Sequence, residues 1–325
     1  MTPLSLSSGD LVADRRAAYA EMLCEAGDVA AAADLLREAV ALAPGWAAGW
    51  YRLGETMLLA GRIAEAAEAW SAVLRLDPAD RLGASLRLAE AGLMPPVDAP
   101  PSAFVETLFD QYAAGFDDAL VGRLGYRVPE LIERAIRATG RTAHAHAVDL
   151  GCGTGLLGER LRATASFLEG IDISAAMLRR AEAKRLYDRL TRADLQMLAA
   201  DRAAADLVTA ADVFMYVGAL DRLVAAVAAM LVPGGLFAFS VEKHDGPEPV
   251  FLRPSRRYAH SAGHLRGLLG GAGFAVLSLE TAPIRRDRGE TLLGLIVVAE
   301  RLAPAAAAPG GHAHAPCRPA LRPLQ

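Results

Sequence analysis

The stretch that decides the fold is His146-Ala147-Val148-Asp149-Leu150-Gly151-Cys152-Gly153-Thr154-Gly155. The residues up to Leu150 predict a short β-strand, the glycines predict a turn, and the residues from Leu156 onward predict a helix. Glycine lets the backbone turn sharply, adopt positive φ and lie against a ligand without a Cβ atom in between. A strand, a glycine turn and a helix in this order indicate the start of a nucleotide-binding α/β domain.

Two classes of ligand fit such a loop. Gly153, Gly155 and Gly158 match the dinucleotide fingerprint Gly-x-Gly-x-x-Gly, so an NAD-dependent dehydrogenase is one alternative. Asp149, at the end of the strand, favours a different ligand. Its carboxylate suits a cationic amino acid group and would repel a pyrophosphate.

Acidic residues also follow the next three predicted strands. Asp172 ends the strand that begins at Phe167, Asp194 follows the one at 190–193, and Asp212 follows the one at 205–211. Open α/β sheets bind ligands beyond the carboxyl ends of their strands, so we expect acids there to face the ligand. A carboxylate at Asp172 can accept hydrogen bonds from both hydroxyls of a ribose. The alternatives are a helix-terminal charge at Asp172 and a surface acid at Asp194.

The eight residues from Val148 to Gly155 resemble the first motif of class I S-adenosylmethionine-dependent methyltransferases. The resemblance implies an α/β, Rossmann-like, seven-stranded sheet with an antiparallel terminal hairpin, here at 273–279 and 292–299, and S-adenosyl-L-methionine as cofactor. It also implies that Asp194 accepts from the adenine amino group. The cofactor-binding residues implied in this way are Asp149, Gly151, Cys152, Gly153, Thr154, Gly155, Asp172, Ile173, Met177, Asp194, Leu195, Asp212 and Tyr112.

A helix is predicted over about 103–120, ahead of the glycine loop, with a second over about 129–139. Within the first, Phe109 to Asp117 resembles the lid segment of small-molecule methyltransferases, in which an aromatic residue such as Tyr112 covers the methionine end of the cofactor. Core packing is the alternative for Phe109, Tyr112 and Phe116, which are three and four residues apart.

The first hundred residues repeat with a period of 34, which separates Pro44 from Pro78. The second copy resembles the tetratricopeptide repeat, and two repeats plus a capping helix at 81–91 are predicted. The small residues Gly54 and Ala66 would let its two helices approach closely. A helical hairpin without a recognition function is the alternative. The residues that match the repeat pattern are Trp50, Leu53, Gly54, Gly61, Ala66, Trp70 and Pro78.

Four segments follow from these patterns. We expect an all-α tetratricopeptide-repeat domain over 10–92, a proline-rich linker over 93–102, the methyltransferase domain over 103–302 and a disordered tail over 303–325. The arrangement resembles bacterial predicted methyltransferases that carry tetratricopeptide repeats.

Composition and net charge limit the classes of partner and site that this chain can have. The chain has 325 residues and a formal net charge of −4, which predicts no nucleic-acid partner. Pro233-Gly234-Gly235 interrupts the uncharged stretch Leu223–Val241, so we predict a helix (about 219–231), a turn and a strand (about 236–242) instead of a membrane span. The three cysteines lie far apart, so no zinc site or other metal site is predicted. With no signal-peptide pattern, a cytoplasmic location is expected.

The predicted function is methyl transfer to an unidentified acceptor, a small molecule in preference to a protein, with the repeats as a docking module for a protein partner. The alternatives are a repeat-based scaffold whose cofactor-binding domain is catalytically minor and, less favoured, the dehydrogenase. The candidate catalytic residues are His260, Tyr216 and His244. The arginines 256, 257, 285 and 286, the last two in a predicted charged turn, are candidates to meet an anionic substrate.

Overall fold

The structure is a computed structural model that describes residues 7–95, 97–199, 204–287 and 289–303. Its first part is a run of antiparallel helices. Asp10 and Asp28 begin the first two helices by accepting hydrogen bonds from backbone N–H groups of the first turn. Gly27 and Gly61, 34 residues apart, have φ of +87° and +72° and lie in the turn of each hairpin. The helices are α1 Leu11–Glu25, α2 Val29–Leu42, α3 Ala47–Leu59, α4 Ile63–Leu76 and α5 Ala84–Glu90.

A glycine and a tryptophan set the distance between α3 and α4. Trp70 of α4 is fully buried and its ring lies against the backbone of Gly54 in α3. A Cβ atom on Gly54 would lie 2.6 Å from Cδ1 of Trp70, closer than van der Waals contact allows. The small residue that the repeat pattern requires is therefore what lets the indole fill the space between the helices.

The chain is helical over the predicted range 103–120, but its second half is not a regular α-helix. The structure has α6 over Ser102–Tyr112, a 3-10 turn over Ala113–Gly115 and a π-helical turn over Asp118–Arg123. Glycine is a weak helix former, and the regular hydrogen-bonding pattern ends at the turn that contains Gly115. The second predicted helix is present as α7, Val128–Ala138.

The remaining chain alternates strands and helices. The uncharged stretch from Leu223 divides into a helix and a strand, but the predicted turn at Pro233-Gly234-Gly235 belongs to the strand, where the register shifts between Ala205 and Leu207 of its neighbour. The helices are α8 Gly158–Leu161, α9 Ala175–Lys184, α10 Asp221–Met230 and α11 Ala262–Gly271. The strands are β1 His144–Leu150, β2 Ala165–Asp172, β3 Arg189–Arg192, β4 Ala205–Ala210, β5 Leu231–Lys243, β6 Val250–Leu252, β7 Tyr258–His260, β8 Phe274–Asp287 and β9 Glu290–Arg301.

These strands form one sheet in which β3, β2, β1, β4 and β5 are parallel neighbours in that order. β9 pairs antiparallel with β5, and β8 pairs antiparallel with β9. The predicted fold class and its terminal hairpin are confirmed. The predicted number of seven strands is too low for the described residues, because the short strands β6 and β7 extend the end of β5 to give nine.

The order of the strands fixes where a ligand can bind. β1 lies in the middle, with β2 and β3 on one side and β4 and β5 on the other. The chain adds β2 and β3 on one side of β1 and then crosses to add β4 and β5 on the other side. In open α/β sheets, ligands bind at such a point, in the crevice beyond the carboxyl ends of the strands. The glycine loop that follows β1 lies at this point.

Candidate functional site

The glycine loop turns because its glycines have left-handed backbone conformations. Gly151, Gly153 and Gly155 have φ of +63°, +54° and +91°, a region that other residues rarely adopt. A Cβ atom on Gly151 would lie 2.7 Å from Cγ1 of Val213, whereas one on Gly153 would meet no atom within 4 Å. Gly151 is thus required by packing, and Gly153 presents bare backbone to an open space.

Asp149, the acidic residue of β1, is buried beside two hydrogen-bond donors. Its carboxylate accepts from the hydroxyls of Tyr187 and Thr209 at 2.8 and 2.9 Å. Burial outweighs these two bonds and raises the pKa of Asp149 to about 7. Near neutral pH the group therefore gains or loses a proton readily.

Asp172 and Asp194 stand at the ends of the two strands on one side of β1. Asp172 accepts from the backbone N–H of Gly153 and of Ser174, both at 2.8 Å, and burial raises its pKa. Asp194 accepts from the backbone N–H of Gln196 at 2.9 Å and from the hydroxyl of Ser102. The first acid joins the glycine loop to β2, and the second joins β3 to the start of α6.

These residues line one cavity of about 470 Å³. That volume is within the usual range for small-molecule sites, about 300–1,000 Å³. Gly155 is the one predicted cofactor residue that does not line it, because Gly155 faces the ring of Tyr187. The other twelve predicted cofactor residues all line it: Asp149, Gly151, Cys152, Gly153, Thr154, Asp172, Ile173, Met177, Asp194, Leu195, Asp212 and Tyr112.

The segment that resembles a lid lies over the cavity. The Phe109 ring packs edge to face on Tyr216 at 5.1 Å between centroids and on Phe116 at 6.1 Å. Tyr112 lines the cavity but is 60% exposed. In this segment Phe109 and Phe116 pack against other aromatic rings, while Tyr112 lies at the rim of the cavity.

Two aspartates attach the lid segment to the rest of the domain. Asp110 accepts from the Ser174 hydroxyl at 2.6 Å, and Asp117 pairs with Lys184 at 2.8 Å. Asp117 also accepts from the hydroxyl of Thr154 in the glycine loop. The acidic positions of the motif hold the lid segment against the glycine loop and α9.

Among the three predicted catalytic residues, only Tyr216 lines the cavity. His260 is fully buried in β7, where its Nε2 lies 2.9 Å from the carbonyl oxygen of Gly218, and burial lowers its pKa to about 4. His244 stacks on Phe251 and pairs with Glu248 at 2.9 Å. Neither histidine therefore lines the cavity, and a catalytic role for either one stays a prediction.

The prediction of a charged turn at 285–289 is also wrong for Arg285. β8 continues to Asp287, and the Arg285 side chain is 4% exposed. Its guanidinium pairs with Asp212, which follows β4, and with Glu242 of β5 at 2.6 Å. These ion pairs were not predicted from the sequence, because Arg285 does not continue the alternation of the buried residues Ala282 and Ile284, and the register of β8 shifts between Pro283 and Arg285.

Asp212 itself lies in a strained and buried position. Its φ is +61°, and Oδ1 has no hydrogen-bond partner among the described residues. Burial raises its pKa, against the opposing effect of Arg285 and Arg257. Residues in this backbone region are uncommon and often occur at functional sites.

No group of three or more potential metal ligands occurs within the described ranges. Likewise, no helix there is long and apolar enough to cross a membrane. The predicted disordered tail, apart from residue 303, lies outside the described residues.

Comparison with known proteins finds two family matches. Residues 148–239 match the methyltransferase domain family, and residues 23–89 match the tetratricopeptide repeat family. The chain carries a methyltransferase domain. Both resemblances seen in the sequence are confirmed for these ranges, and the β8–β9 hairpin agrees with the methyltransferase sheet.

Two curated relatives of the methyltransferase domain have the same name, ubiquinone biosynthesis O-methyltransferase. The Coxiella burnetii protein is 30% identical over 113 residues, covering 34% of this chain and 47% of the relative. The Burkholderia lata protein is 35% identical over 109 residues, covering 30% and 47%. The chain thus spans about half the length of the curated relatives it matches.

Among solved structures, the cyclase SpnF has a TM-score of 0.53 and 19% identity, over 64% of this chain and 99% of that one. This likeness shows the fold. A methyltransferase from Mesorhizobium loti, described as S-adenosylmethionine dependent, is 26% identical with a TM-score of 0.43, over 52% of this chain and 96% of that one.

Proposed function

We propose that this protein transfers a methyl group from S-adenosylmethionine to a hydroxyl of a small-molecule acceptor. The observation that carries the proposal is that twelve predicted cofactor residues and Tyr216 line the same cavity. Its curated relatives are named O-methyltransferases, which supports oxygen as the acceptor atom. The repeats serve as a docking module beside the site.

The residues of the loop suit S-adenosylmethionine. Gly153 leaves open space where a side chain would stand, and Asp172 and Asp194 offer carboxylate oxygens to ribose and adenine donors. Asp149 can supply a negative charge for a cationic amino acid group. When bound, the cofactor supplies a methyl group that is activated by the adjacent sulfonium charge.

The rest of the cavity positions the acceptor. Tyr216 and Met215 follow β4, on the side of β1 away from Asp172, and the ring of Phe109 packs on Tyr216. We define the acceptor half of the cavity as the part lined by Asp212, Met215, Tyr216 and residues 255–257. The apolar surfaces of Met215 and Tyr216 help to exclude water. Holding an acceptor oxygen in line with the methyl carbon is the main requirement of an in-line displacement.

A hydroxyl acceptor also has to lose a proton, and Asp212 is the group proposed to take it. It lines the cavity, its Oδ1 is unpartnered among the described residues, and its pKa is raised by burial. A carboxylate with a raised pKa is a better base than an exposed one. Tyr216 is less suited, because burial raises its pKa and keeps it protonated at neutral pH.

Binding of S-adenosylhomocysteine to the full chain, measured by calorimetry, tests the cofactor. Gly153→Ala places a methyl group in the open space and should lower the affinity at least tenfold. Gly140→Ala is the matched control, because Gly140 also has positive φ, +85°, and no atom near its missing Cβ, but lies at the end of α7. No binding by the wild type, or equal binding by Gly153→Ala, would contradict the proposal.

Transfer of a labelled methyl group from S-adenosylmethionine tests the reaction. A metabolite extract and a protein extract are offered separately, and label should enter the metabolites. Asp212→Asn should lower kcat about 100-fold, the lower end of the usual contribution of a general base. Label in proteins alone would overturn the small-molecule acceptor, and an unchanged kcat in a folded Asp212→Asn protein would overturn the base.

A further inference from the structure

The charges of the acceptor half are nearly balanced, with one exception. Three arginines at this end form ion pairs with three carboxylates, and the shared carboxylate of Glu242 is completely buried. The arginines are Arg253, Arg257 and Arg285, and the carboxylates are Glu242, Asp212 and Asp287.

Arg256 is the exception. It lines the cavity, and no carboxylate of the described residues pairs with its guanidinium. Its Nη1 donates to the hydroxyl of Tyr51, in the repeat domain, at 2.8 Å. The guanidinium carbon lies 5.3 Å from the ring centroid of Phe104, a cation–π contact. Arg256 is therefore held in place by neutral groups and keeps its positive charge unopposed.

The backbone and the neighbouring residue also indicate a ligand. Arg256 has φ of +61°, and among the described residues only three other non-glycine residues have positive φ. The Oγ of Ser255, which also lines the cavity, is buried and has no hydrogen-bond partner within the part of the chain that the structure describes. A buried hydroxyl of this kind is costly unless something binds to it.

We propose that Arg256 and Ser255 bind a carboxylate on the methyl acceptor, and that Tyr51 of the repeat domain positions Arg256 for this. This rests on the proposed function, and it adds the class of acceptor: a small organic acid. A guanidinium and a hydroxyl together offer donors for both oxygens of a carboxylate, whereas a neutral acceptor leaves the charge of Arg256 unopposed.

The repeat domain thereby completes the substrate site. Tyr51 lies in α3, and its hydroxyl is the contact that joins this helix to the cavity wall. The linker supports the same arrangement, since the Tyr258 hydroxyl donates to the Val97 carbonyl at 2.6 Å and the Ala219 N–H donates to the Asp98 carbonyl at 2.8 Å. Removing the hydroxyl of Tyr51 should therefore change acceptor binding and leave cofactor binding intact.

Benzoate and benzamide are matched probes, because they have similar shapes and differ in charge. Each is titrated into the full-length protein by calorimetry, with and without S-adenosylhomocysteine. The wild type should bind benzoate at least tenfold more tightly than benzamide. Arg256→Gln should reduce this ratio to about one, and Tyr51→Phe should reduce it about threefold, while the affinity for S-adenosylhomocysteine stays within twofold.

Arg266→Gln is the control, because Arg266 is an exposed arginine of α11 that does not line the cavity, and it should keep the wild-type ratio. The proposal is overturned if the wild type binds benzoate no better than benzamide, if neither binds, or if the preference survives in Arg256→Gln. Failure of the proposed function gives a different result from failure of this proposal. In that case S-adenosylhomocysteine would not bind, while the wild type would still prefer benzoate to benzamide.

Discussion

Nη2 of Arg285 lies 2.6 Å from Oε1 of Glu242, and the two side chains are 4% and 0% exposed. Arg285 comes from β8 and Glu242 from β5, and β9 separates these strands in the sheet. The same guanidinium pairs with Asp212 beside the glycine loop. The terminal hairpin is thus joined to the cavity by a buried positive charge between two carboxylates.

Removing that charge should lower the free energy of unfolding of the protein. Arg285→Met leaves the buried carboxylate of Asp212 without its ion-pair partner and leaves Glu242 with Arg253 and Arg257 only, which costs about 3–5 kcal/mol in the free energy of unfolding. Arg286→Met is the control, because the adjacent side chain is exposed, and it should change stability by less than about 0.5 kcal/mol. Urea unfolding followed by circular dichroism measures both. Equal stability of the two variants would show that the pair is not needed.

The repeat domain depends on the missing side chain at Gly54. Gly54→Ala pushes a methyl group into the Trp70 indole, and overpacking of this kind costs about 1–3 kcal/mol. Gly45→Ala should be nearly neutral, because Gly45 has ordinary φ and no atom within 4 Å of the added Cβ. Thermal unfolding monitored by tryptophan fluorescence distinguishes them. A Gly54→Ala protein as stable as Gly45→Ala would contradict the packing described for α3 and α4.

Cofactor affinity should rise with pH because of Asp149. Its pKa in the folded protein is about 7, so below pH 7 the carboxyl is protonated and must lose its proton to attract a cationic amino group. We expect the affinity for S-adenosylhomocysteine to increase about 25-fold between pH 5.5 and 7.5.

Two comparisons isolate the role of Asp149. Asp149→Asn should lose most of the pH dependence, leaving the part due to Asp172, whose pKa burial also raises. 5′-Methylthioadenosine, which lacks the amino acid group, should bind the wild type with little pH dependence. If the affinity of Asp149→Asn for S-adenosylhomocysteine depended on pH as in the wild type, the titrating group would be a residue other than Asp149.

His260 should affect stability and not methyl transfer. Its pKa is about 4 in the folded protein and about 6.5 when exposed, so the unfolded chain gains a proton as pH falls through this window. The stability contributed by neutral His260 is complete above pH 6.5 and is lost towards pH 4, by about 3 kcal/mol.

His260→Gln should lack that loss, whereas His244→Gln should retain it, because the pair of His244 with Glu248 is at the surface. The free energy of unfolding at several pH values measures this. A large fall in kcat for a stable His260→Gln protein at pH 7 would contradict this prediction and show that His260 contributes to methyl transfer.

The sequence by itself determined the glycine loop, the acids at the strand ends and the period of the repeats. These are local patterns: a loop with positive φ needs glycine, a strand–turn–helix fixes which residue ends the strand, and the small residue at 54 is required by the helix that follows. For that reason nearly all the predicted cofactor residues line one cavity, and the fold class follows from the order of the elements.

Tertiary structure alone decided which charges are buried and which side chains share the acceptor half. Arg285 and Glu242 are 43 residues apart, and Arg256 and Tyr51 are 205 apart, in different domains. Nothing local distinguishes a buried arginine from an exposed one, or a cavity histidine from a core histidine such as His260. Those roles depend on which strands and helices meet, because burial and partners set the charge and the reactivity of a side chain.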